Sequence, residues 1–390
     1  MSTVAEPVES PLAFDATASA WRPVPGERVV IYGAGGFARS LLQTVRAAGA
    51  VVPYVIDRRG ADIGVFEGVP VHRPGEDGLS PVQRAALTAL VGVFNRDANP
   101  LEIESCLRSL GHNRVVGVPE LYESFGAELG PRFWLAERAI YAAHRGDIET
   151  VAQIWADPSS RELYRSLLRF RTQWDSSTLP LPFPGPQYFP ADVPNTVGPI
   201  RFVDCGAFVG DTLAAIAGLG AAVEEVYAFE PDISNFACLS RYASEFSSAT
   251  GARVSLWPCA VAAGSGVRAF RADGAEAGHL TLDGEHPVTA VALDDALPAA
   301  MVTDLKMDIE GAELEALRGA EALIRRALPR LAICVYHRAE HLWEIPLFVR
   351  GLDLPYDLFL RSHGHFGFDV VMYAVPRAER SRVPMQRVMP

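Results

Sequence analysis

Short apolar runs recur through the second half of the chain and predict buried strands. The predicted strands are Arg201 to Cys205, Glu225 to Glu230, Arg253 to Pro258, Asp304 to Ile309, Arg330 to His337, Tyr356 to Arg361 and Phe368 to Val375. Runs of this kind, with few polar positions, are typical of parallel strands that are covered on both faces. Apolar positions between them predict helices, including one long helix from Ala312 to Leu328. We therefore expect an α/β domain with seven strands over residues 200–390.

The first half of the chain contains a separate strand, turn, helix, strand unit from Glu27 to Arg59. Further strands are predicted at Ala86 to Phe94 and Arg114 to Val118. Together they predict a smaller Rossmann-like α/β domain over residues 26–130, preceded by a flexible tail at residues 1–25. The two halves therefore predict separate domains, which agrees with a length that exceeds the usual size of a single core.

Residues 131–199 differ from both domains and predict a helical and proline-rich connecting segment. Leu163, Leu167 and Phe170 share one helical face, and the neighbouring arginines are expected to form a solvated face. The proline-dense stretch that follows, residues 178–199, cannot be a continuous helix or a central strand. It is either a plain linker or a loop packed over the next domain, and its aromatic residues Tyr188 and Phe189 favour packing.

Composition and charge narrow the class of protein. The formal net charge is −12, and Lys and Arg do not cluster, so nucleic-acid binding is not expected. The five cysteines are widely spaced, which is typical of reduced thiols. The first residues lack a basic signal region, and the apolar stretches are too short to span a bilayer. A cytoplasmic protein without membrane partners is the expectation.

The N-terminal glycine turn has the spacing of a dinucleotide fingerprint. Gly33 and Gly35 precede the predicted helix, and Asp57 closes the next strand about twenty residues later. The spacing predicts a nucleotide site. The alternative is a Rossmann-like domain that uses these glycines only for the conformation of its turn. An NAD(P)-dependent oxidoreductase is the competing interpretation, but the region before residue 130 has no lysine and no recognised catalytic motif.

A second glycine turn, FVDCGAFVGDTL at Phe202 to Leu213, follows the first strand of the C-terminal domain. Gly206 and Gly210 allow the backbone to approach a ligand where side chains would collide. Glu230 ends the next strand, where a carboxylate can accept hydrogen bonds from both ribose hydroxyls. The pair of motifs indicates a site for an adenosyl cofactor.

Five ordered motifs give the C-terminal half a family resemblance. They are FVDCGAFVGDTL, YAFEPDISNFACL, VTAVALDDAL, DLKMDIEGAELEALRGA and ICVYHRAEHLWEIP. This series resembles the FkbM family of S-adenosylmethionine-dependent methyltransferases over roughly Gln187 to Val375. The resemblance implies a class I methyltransferase fold. The N-terminal unit resembles Rossmann-like domains that precede some such enzymes and some sugar-modifying acyltransferases.

The resemblance also implies which residues bind the cofactor. The methionine end is assigned to Asp204, Gly206, Ala207, Phe208, Gly210, Asp211 and Thr212. Glu230 is expected to hold the ribose, and Pro231 and Asp232 to flank the adenosine. Asp204 has the charge to pair, directly or through water, with the cofactor ammonium group.

The candidate catalytic residues are Lys306, Asp308, Glu310 and His337. On a strand from Asp304 to Ile309 that continues its alternation, the first three would share one face near the carboxyl edge, where ligands bind in parallel sheets. His337 also ends a strand and would remove a proton from the acceptor if its pKa lies near neutrality. Glu313 is interpreted equally well as a helix-start acid. With no HExxH arrangement, no metal site is expected, although Asp308, Glu310 and His337 have the chemistry for a hard divalent ion.

The expected reaction is methylation of a hydroxyl on a sugar, glycan or secondary metabolite. The preference for oxygen comes from the family resemblance, and nitrogen or carboxylate acceptors stay open as alternatives. The expected partner is a small-molecule or glycan acceptor, and the question of a homo-oligomer is open.

Overall fold

The computed structural model describes residues 19–272, 278–280 and 286–377. Contacts divide the chain into two compact units. Unit 1 comprises Met1–Ile148, Glu162–Pro182 and Gly364–Phe368, and unit 2 comprises Glu149–Arg161, Phe183–His363 and Asp369–Pro390. Most of the expected N-terminal tail lies outside the described residues.

Unit 1 contains a six-stranded sheet. Its strands are β1 (Val29–Tyr32), β2 (Val55–Ile56), β3 (Val65–Phe66), β4 (Val69–His72), β5 (Thr88–Val91) and β6 (Val115–Val116). The order is β3-β4-β2-β1-β5-β6, and only the β3–β4 pair is antiparallel. The sequence patterns did not predict that hairpin, because its strands are too short to show alternation.

Eight helices are described between residues 36 and 173. They are α1 (Gly36–Ala47), α2 (Gly60–Ile63), α3 (Pro81–Ala85), α4 (Pro100–Ser109), α5 (Val118–Leu129), α6 (Arg138–Ala143), α7 (Arg145–Ala152) and α8 (Pro158–Gln173). Leu163, Leu167 and Phe170 are buried on one face of α8, as predicted. Arg171 is an exception to the expected solvated face, because it is buried with its guanidinium carbon 4.5 Å from the Trp134 ring centroid.

The described part of unit 2 contains eleven strands. They are β7 (Ile200–Cys205), β8 (Val223–Phe229), β9 (Arg253–Trp257), β10 (Ala260–Val261), β11 (Gly266–Ala272), β12 (Gly278–Leu280), β13 (His286–Val291), β14 (Asp304–Met307), β15 (Arg330–Cys334), β16 (Tyr356–Ser362) and β17 (Val370–Pro376). Its helices are α9 (Asp211–Gly218), α10 (Ile233–Thr250), α11 (Leu293–Ala296), α12 (Glu313–Arg318), α13 (Glu321–Ala327) and α14 (His341–Gly351).

The main sheet of unit 2 has the strand order β16-β17-β15-β14-β7-β8-β9. Strands β15, β14, β7, β8 and β9 are parallel, and β17 runs antiparallel to both of its neighbours. All seven strands predicted from the apolar runs are present, so the expected seven-stranded sheet is confirmed. A second sheet, with the order β10-β13-β11-β12, was not predicted.

Two local predictions in unit 2 are wrong. The helix expected from Ala312 to Leu328 is split into α12 and α13 at Gly319 and Ala320. A Cβ on Gly319 would lie 2.2 Å from the carbonyl oxygen of Ala262, so the break brings two backbones together. The strand alternation expected to reach Glu310 stops at Met307, and Glu310 has a φ of 54°.

The proline-rich stretch packs within unit 2 from Phe183 onwards. Tyr188 and Phe189 are buried, and the Phe189 ring centroid lies 6.0 Å from that of Phe202 in β7. The side chain of Arg330 donates a hydrogen bond of 3.1 Å to the carbonyl of Pro194. The packed interpretation of residues 183–199 therefore holds.

Among the described residues, the helices include none with the length and apolar character needed to cross a membrane.

Candidate active site

The glycine loop after β7 is shaped by close backbone contacts. Gly206 has a φ of 80°, and a Cβ there would lie 1.9 Å from the carbonyl oxygen of Asp308. Gly210 has a φ of 97°, and its Cβ would lie 2.8 Å from the Tyr242 ring. Phe208 also has a positive φ, of 48°, although it is not a glycine. Strained backbone of this kind clusters at ligand sites. The amides of Gly206 and Ala207 each donate a hydrogen bond of 3.0 Å to the carbonyl of Phe229, which fixes the loop to the end of β8.

Glu230 lies beside this loop at the carboxyl end of β8. Its Oε2 accepts a hydrogen bond of 2.9 Å from the Phe208 amide, and its Oε1 accepts one of 2.9 Å from the Asp232 amide. Burial raises the pKa of Glu230, while these two backbone hydrogen bonds act in the opposite direction. A carboxylate accepts about four hydrogen bonds, so Glu230 has acceptor capacity beyond these two amides.

The sequence predicted that Asp204 pairs with a cofactor ammonium group, but in the structure Asp204 pairs with a cation of the protein itself. Asp204 is fully buried, and its Oδ1 lies 3.1 Å from Nζ of Lys306 on the adjacent strand β14. Burial raises the pKa of Asp204 to about 6, although Lys306 opposes that shift. Burial disfavours the charged form of Lys306, but Asp204 and Asp308 outweigh burial and raise its pKa. The protein itself therefore supplies the counter-ion of Asp204.

Lys306 is buried as well. Its ammonium donates a hydrogen bond of 2.5 Å to the carbonyl of Gly206 and lies 5.2 Å from the Tyr188 ring centroid. Tyr188 in turn donates a hydrogen bond of 2.6 Å to Oδ2 of Asp308. These contacts link the two loops at the sheet edge, which makes Lys306 a positioning residue.

The other predicted cofactor residues divide between buried and open positions. Ala207, Gly210 and Thr212 are buried, whereas Asp211 is exposed in the first turn of α9. Pro231 is partly exposed next to Glu230. Asp232 caps helix α10, because its Oδ1 accepts hydrogen bonds of 2.9 Å from the amides of Ser234 and Asn235.

His337 lies among three carboxylates after β14 and β15. Its Nδ1 is 2.7 Å from Oε1 of Glu313, and its Nε2 is 3.3 Å from Oδ1 of Asp308 and 3.6 Å from Oε2 of Glu310. The side chains of Asp308 and Glu310 keep 24% and 23% of their surface exposed, whereas His337 keeps 2%. The two partly exposed carboxylates are therefore the members of this group that an acceptor can contact.

The surroundings of His337 differ from those expected of a general base. Burial disfavours its charged form, but Glu313 and Glu310 outweigh burial and raise the pKa of His337 to about 10. Burial opposes the ionisation of Glu313 too, yet His337 and His341 hold its pKa well below the usual range. Burial raises the pKa of Glu310 to about 7. This pKa is too high for a histidine that acts as a general base at neutral pH, a role for which the sequence hypothesis required a pKa near neutrality.

Sequence reasoning gave too little weight to Glu313. Its Oε1 accepts hydrogen bonds from the amides of Ile309 and Gly311, at 2.9 and 3.3 Å, so it shapes the loop that carries Asp308 and Glu310. Its Oε2 lies 3.2 Å from Nδ1 of His341. One ligand atom each from Asp308, Glu313 and His337 lie within 4.8 Å of one another, which is a geometry suited to a metal ion. His337 and His341, which are four residues apart in the sequence, both contact Glu313, and their spacing was the signal for this cluster.

Unit 1 has a cavity of its own at the N-terminal glycine turn. It has a volume of about 660 Å³ and is lined by the turn, by the segment after β2 and by the segment after β5. Gly33 has a φ of 113°, and a Cβ there would lie 2.6 Å from Val93. Asp57 accepts hydrogen bonds from the amides of Ala34 and Arg59, at 3.0 and 2.8 Å, so its carboxylate is engaged by the turn itself.

The residues of unit 2 fit an adenosyl cofactor. The strand order of the main sheet, the cramped glycine loop after β7 and the buried acid after β8 define the class I fold of S-adenosylmethionine-dependent methyltransferases. The absence of a Cβ at Gly206 and Gly210 allows the close backbone approach of the glycine loop, and the adjacent Glu230 retains acceptor capacity.

Comparisons with known proteins support this class. Residues 204–365 match the model of the methyltransferase FkbM domain. The crystal structure of methyltransferase FkbM from Methylobacillus flagellatus KT is similar to the chain with a TM-score of 0.74, at 23% sequence identity and with 90% of each chain covered. Residues 204–365 therefore form a methyltransferase domain of the FkbM type, and the chain has the fold of a methyltransferase.

More distant similarities involve smaller parts of the chain. A putative rRNA methylase from Clostridium thermocellum matches with a TM-score of 0.28 at 12% identity, covering 45% of this chain and 86% of that one. Fibrillarin from Aeropyrum pernix, solved with S-adenosyl-L-methionine, also gives a TM-score of 0.28 at 12% identity, covering 48% and 71%. A comparison with curated protein sequences gave no match.

Proposed function

We propose that the protein methylates a hydroxyl oxygen of a small molecule or glycan, such as a sugar or a secondary metabolite. The observation that carries the proposal is the contact between the glycine loop after β7 and the loop after β14. Gly206 approaches the Asp308 carbonyl so closely that no Cβ fits between them. The proposed cofactor loop therefore adjoins the partly exposed carboxylates of Asp308 and Glu310.

Each part of the site has a proposed role. Glu230 would hold the ribose, the loop from Gly206 to Thr212 the methionine end, and Pro231 and Asp232 the adenosine side. S-adenosylmethionine supplies a sulfonium methyl group, which is already activated for transfer to a nucleophile. The protein's task is then to align the acceptor and to exclude competing water. Asp308 and Glu310 would orient the acceptor hydroxyl by accepting its hydrogen bond, which an acceptor amine in its ammonium form would also satisfy.

The proposal is tested in two stages with the full chain. Calorimetry with S-adenosylhomocysteine first measures cofactor binding, and we expect one site per chain. Release of S-adenosylhomocysteine is then measured with a panel of sugars, nucleotide sugars, polyols, amines and carboxylic acids. We expect turnover with hydroxyl acceptors and an ether product that survives mild base. A base-labile ester or a methylated amine as the main product would overturn the choice of oxygen.

For unit 1 we propose a noncatalytic nucleotide site in the cavity at Gly33 to Gly36. The cavity has the volume of a drug-sized ligand site, and Arg58 and Arg59 border it next to the engaged carboxylate of Asp57. Cationic side chains at this position favour phosphate. The region before residue 130 has no lysine and no recognised catalytic motif, so a noncatalytic site for a mononucleotide or nucleoside diphosphate is favoured over that of an NAD-dependent dehydrogenase.

The test of this site uses Gly35→Leu, because a Cβ on Gly35 meets nothing within 4 Å and its backbone is ordinary. The larger side chain would occupy the cavity without a backbone clash. Binding of ADP, UDP and NADH is measured by calorimetry, with the exposed Gly146→Leu in the same unit as control. We expect a diphosphate to bind the wild type and the control but not Gly35→Leu. Equal binding by all three would contradict the site.

A further inference from the structure

The strongest unassigned feature of unit 2 is the group formed by Asp308, Glu313 and His337. An oxygen from each carboxylate and a ring nitrogen of the imidazole lie within 4.8 Å of one another. Protein ligands of first-row divalent ions lie about 2.0 to 2.3 Å from the metal, so ligand atoms around one ion are separated by roughly 3 to 4.5 Å. A single ion could therefore contact all three residues after small side-chain adjustments.

Two carboxylate oxygens in this group accept no hydrogen bond from the described residues. Oδ1 of Asp308 is buried and accepts no hydrogen bond from the described residues. Oε2 of Glu313 belongs to a side chain with no exposed surface, and it likewise accepts no aligned hydrogen bond from the part of the chain that is described. Nδ1 of His341 lies 3.2 Å away from that oxygen without hydrogen-bond alignment. Buried carboxylate oxygens without donors are costly unless a cation satisfies them.

The carboxylates of this group outnumber the described histidines that contact them. Asp308, Glu310 and Glu313 surround one imidazole at distances of 3.3, 3.6 and 2.7 Å. Lys306 is the nearby ammonium, but it is engaged with Asp204 at 3.1 Å and with the Gly206 carbonyl. His337 therefore faces three carboxylates, and His341 contacts only Glu313 among them, at 3.2 Å. A divalent ion would balance the excess negative charge of this group.

We propose that Asp308, Glu313 and His337 bind a divalent transition-metal ion that holds the acceptor hydroxyl. The mixture of two carboxylates and one imidazole suits Mn²⁺ or Zn²⁺ better than Mg²⁺, because Mg²⁺ prefers an all-oxygen shell. Three protein ligands leave coordination positions for the substrate, as in catalytic metal sites. The partly exposed Asp308 marks the open side.

The metal would deepen the proposed methylation, and its role in catalysis rests on that function. A hydroxyl bound to the ion loses its proton more readily, and the proton leaves to water. The oxygen then forms a bond to the methyl carbon while the carbon–sulfur bond breaks and its electron pair stays on sulfur. The products are the methyl ether, neutral S-adenosylhomocysteine and one proton, so charge and atoms balance.

The experiment measures Mn²⁺ binding by the full chain after removal of metals with EDTA. The electron paramagnetic resonance signal of free aqueous Mn²⁺ reports the unbound fraction. We expect one Mn²⁺ per chain in the wild type and at least a tenfold weaker affinity in Asp308→Asn and His337→Gln. Glu315→Gln is the matched control, because Glu315 lies on the same helix as Glu313 but is exposed. Its affinity should equal that of the wild type.

Binding of S-adenosylhomocysteine by the same samples separates the two proposals and reports folding. Asp308→Asn should bind S-adenosylhomocysteine within about threefold of the wild type while losing Mn²⁺. A wild type that binds S-adenosylhomocysteine but no Mn²⁺, or an Asp308→Asn variant that keeps full Mn²⁺ affinity, would overturn the metal site alone. A wild type that binds Mn²⁺ but not S-adenosylhomocysteine would contradict the proposed cofactor site and leave the metal site supported.

Discussion

Nζ of Lys306 lies 3.1 Å from Oδ1 of Asp204, at matching register on the adjacent strands β14 and β7. Lys306 is the only lysine among the 390 residues, and it also donates a hydrogen bond to the carbonyl of Gly206. A compact ammonium fits between two backbone loops where a planar guanidinium would need more space. The pair therefore fixes the glycine loop to the neighbouring strand end that carries Asp308.

Replacing Lys306 by methionine should destabilise unit 2 by about 3 to 5 kcal/mol, because it leaves the buried carboxylate of Asp204 without a counter-ion. Urea unfolding followed by tryptophan fluorescence measures the change. The control is Arg201→Met in β7, which removes an exposed pair with Glu224 of β8 and should cost less than about 1 kcal/mol. Equal losses for the two variants would show that the Lys306–Asp204 pair has no special importance.

Gly206→Ala should abolish measurable binding of S-adenosylhomocysteine. The new Cβ would meet the Asp308 carbonyl at 1.9 Å, and the φ of 80° is strained for any other residue. The loop must move, and its hydrogen bonds to the Phe229 carbonyl and to Glu230, beside the proposed cofactor site, would be disturbed with it. Calorimetry on the folded variant measures the effect.

Gly218→Ala is the matched control for that change, since it adds the same methyl group at the end of α9 with nothing within 4 Å. It should keep wild-type affinity and gain up to about 1 kcal/mol of stability from helix propensity. Normal cofactor binding by Gly206→Ala would refute the role assigned to this loop.

Glu230→Gln should weaken S-adenosylhomocysteine binding at least tenfold. The amide nitrogen donates hydrogen bonds, so it can accept neither a ribose hydroxyl nor the amide hydrogen that the carboxylate now accepts. Glu224→Gln on the exposed face of the same strand should leave the affinity unchanged. An unaltered affinity in Glu230→Gln would remove the ribose role.

Unit 1 should lose stability in acid through Asp77. Arg84 approaches this buried carboxylate at 2.5 Å, and Tyr54 donates a hydrogen bond of 2.8 Å to it. Burial opposes ionisation, but Arg84, the Leu79 amide and Tyr54 outweigh burial and lower the pKa of Asp77. Because the folded state has the lower pKa, the stabilisation is complete above about pH 4 and is lost as the pH falls further.

Asp77→Asn should therefore cost about 3 kcal/mol at pH 7 and show a flatter decline of thermal stability between pH 5 and pH 2. The exposed Asp62→Asn in the same unit is the control and should follow the wild-type curve within about 0.5 kcal/mol. A wild-type acid profile in Asp77→Asn would assign the acid sensitivity to other carboxylates.

The sequence predicted the seven main strands of unit 2 because each apolar run is long and ends at a clear turn. It missed the sheet of β10 to β13 and the break between α12 and α13. The break depends on the approach of Gly319 to Ala262, residues that are distant in sequence. Such contacts leave no local pattern.

Glu313 shows the same limit within the candidate site. Its position at a helix start suggested an interaction with the helix dipole. In the structure, Oε1 of Glu313 lies 2.7 Å from Nδ1 of His337. That contact raises the pKa of the histidine, whereas a general-base role required a pKa near neutrality. Burial and neighbouring charge set a pKa, and neither can be read from the strand end alone.

By itself the sequence determined the class of this protein, because the glycine loop, the acid after the second strand and the ordered motifs are local features with fixed spacing. The tertiary structure decided how their charges are used. It paired Asp204 with Lys306, engaged Asp57 with its own turn and gathered Asp308, Glu313 and His337 into one group. The physical reason is that electrostatic partners are set by distance and burial in three dimensions, which strand packing creates from residues far apart in the chain.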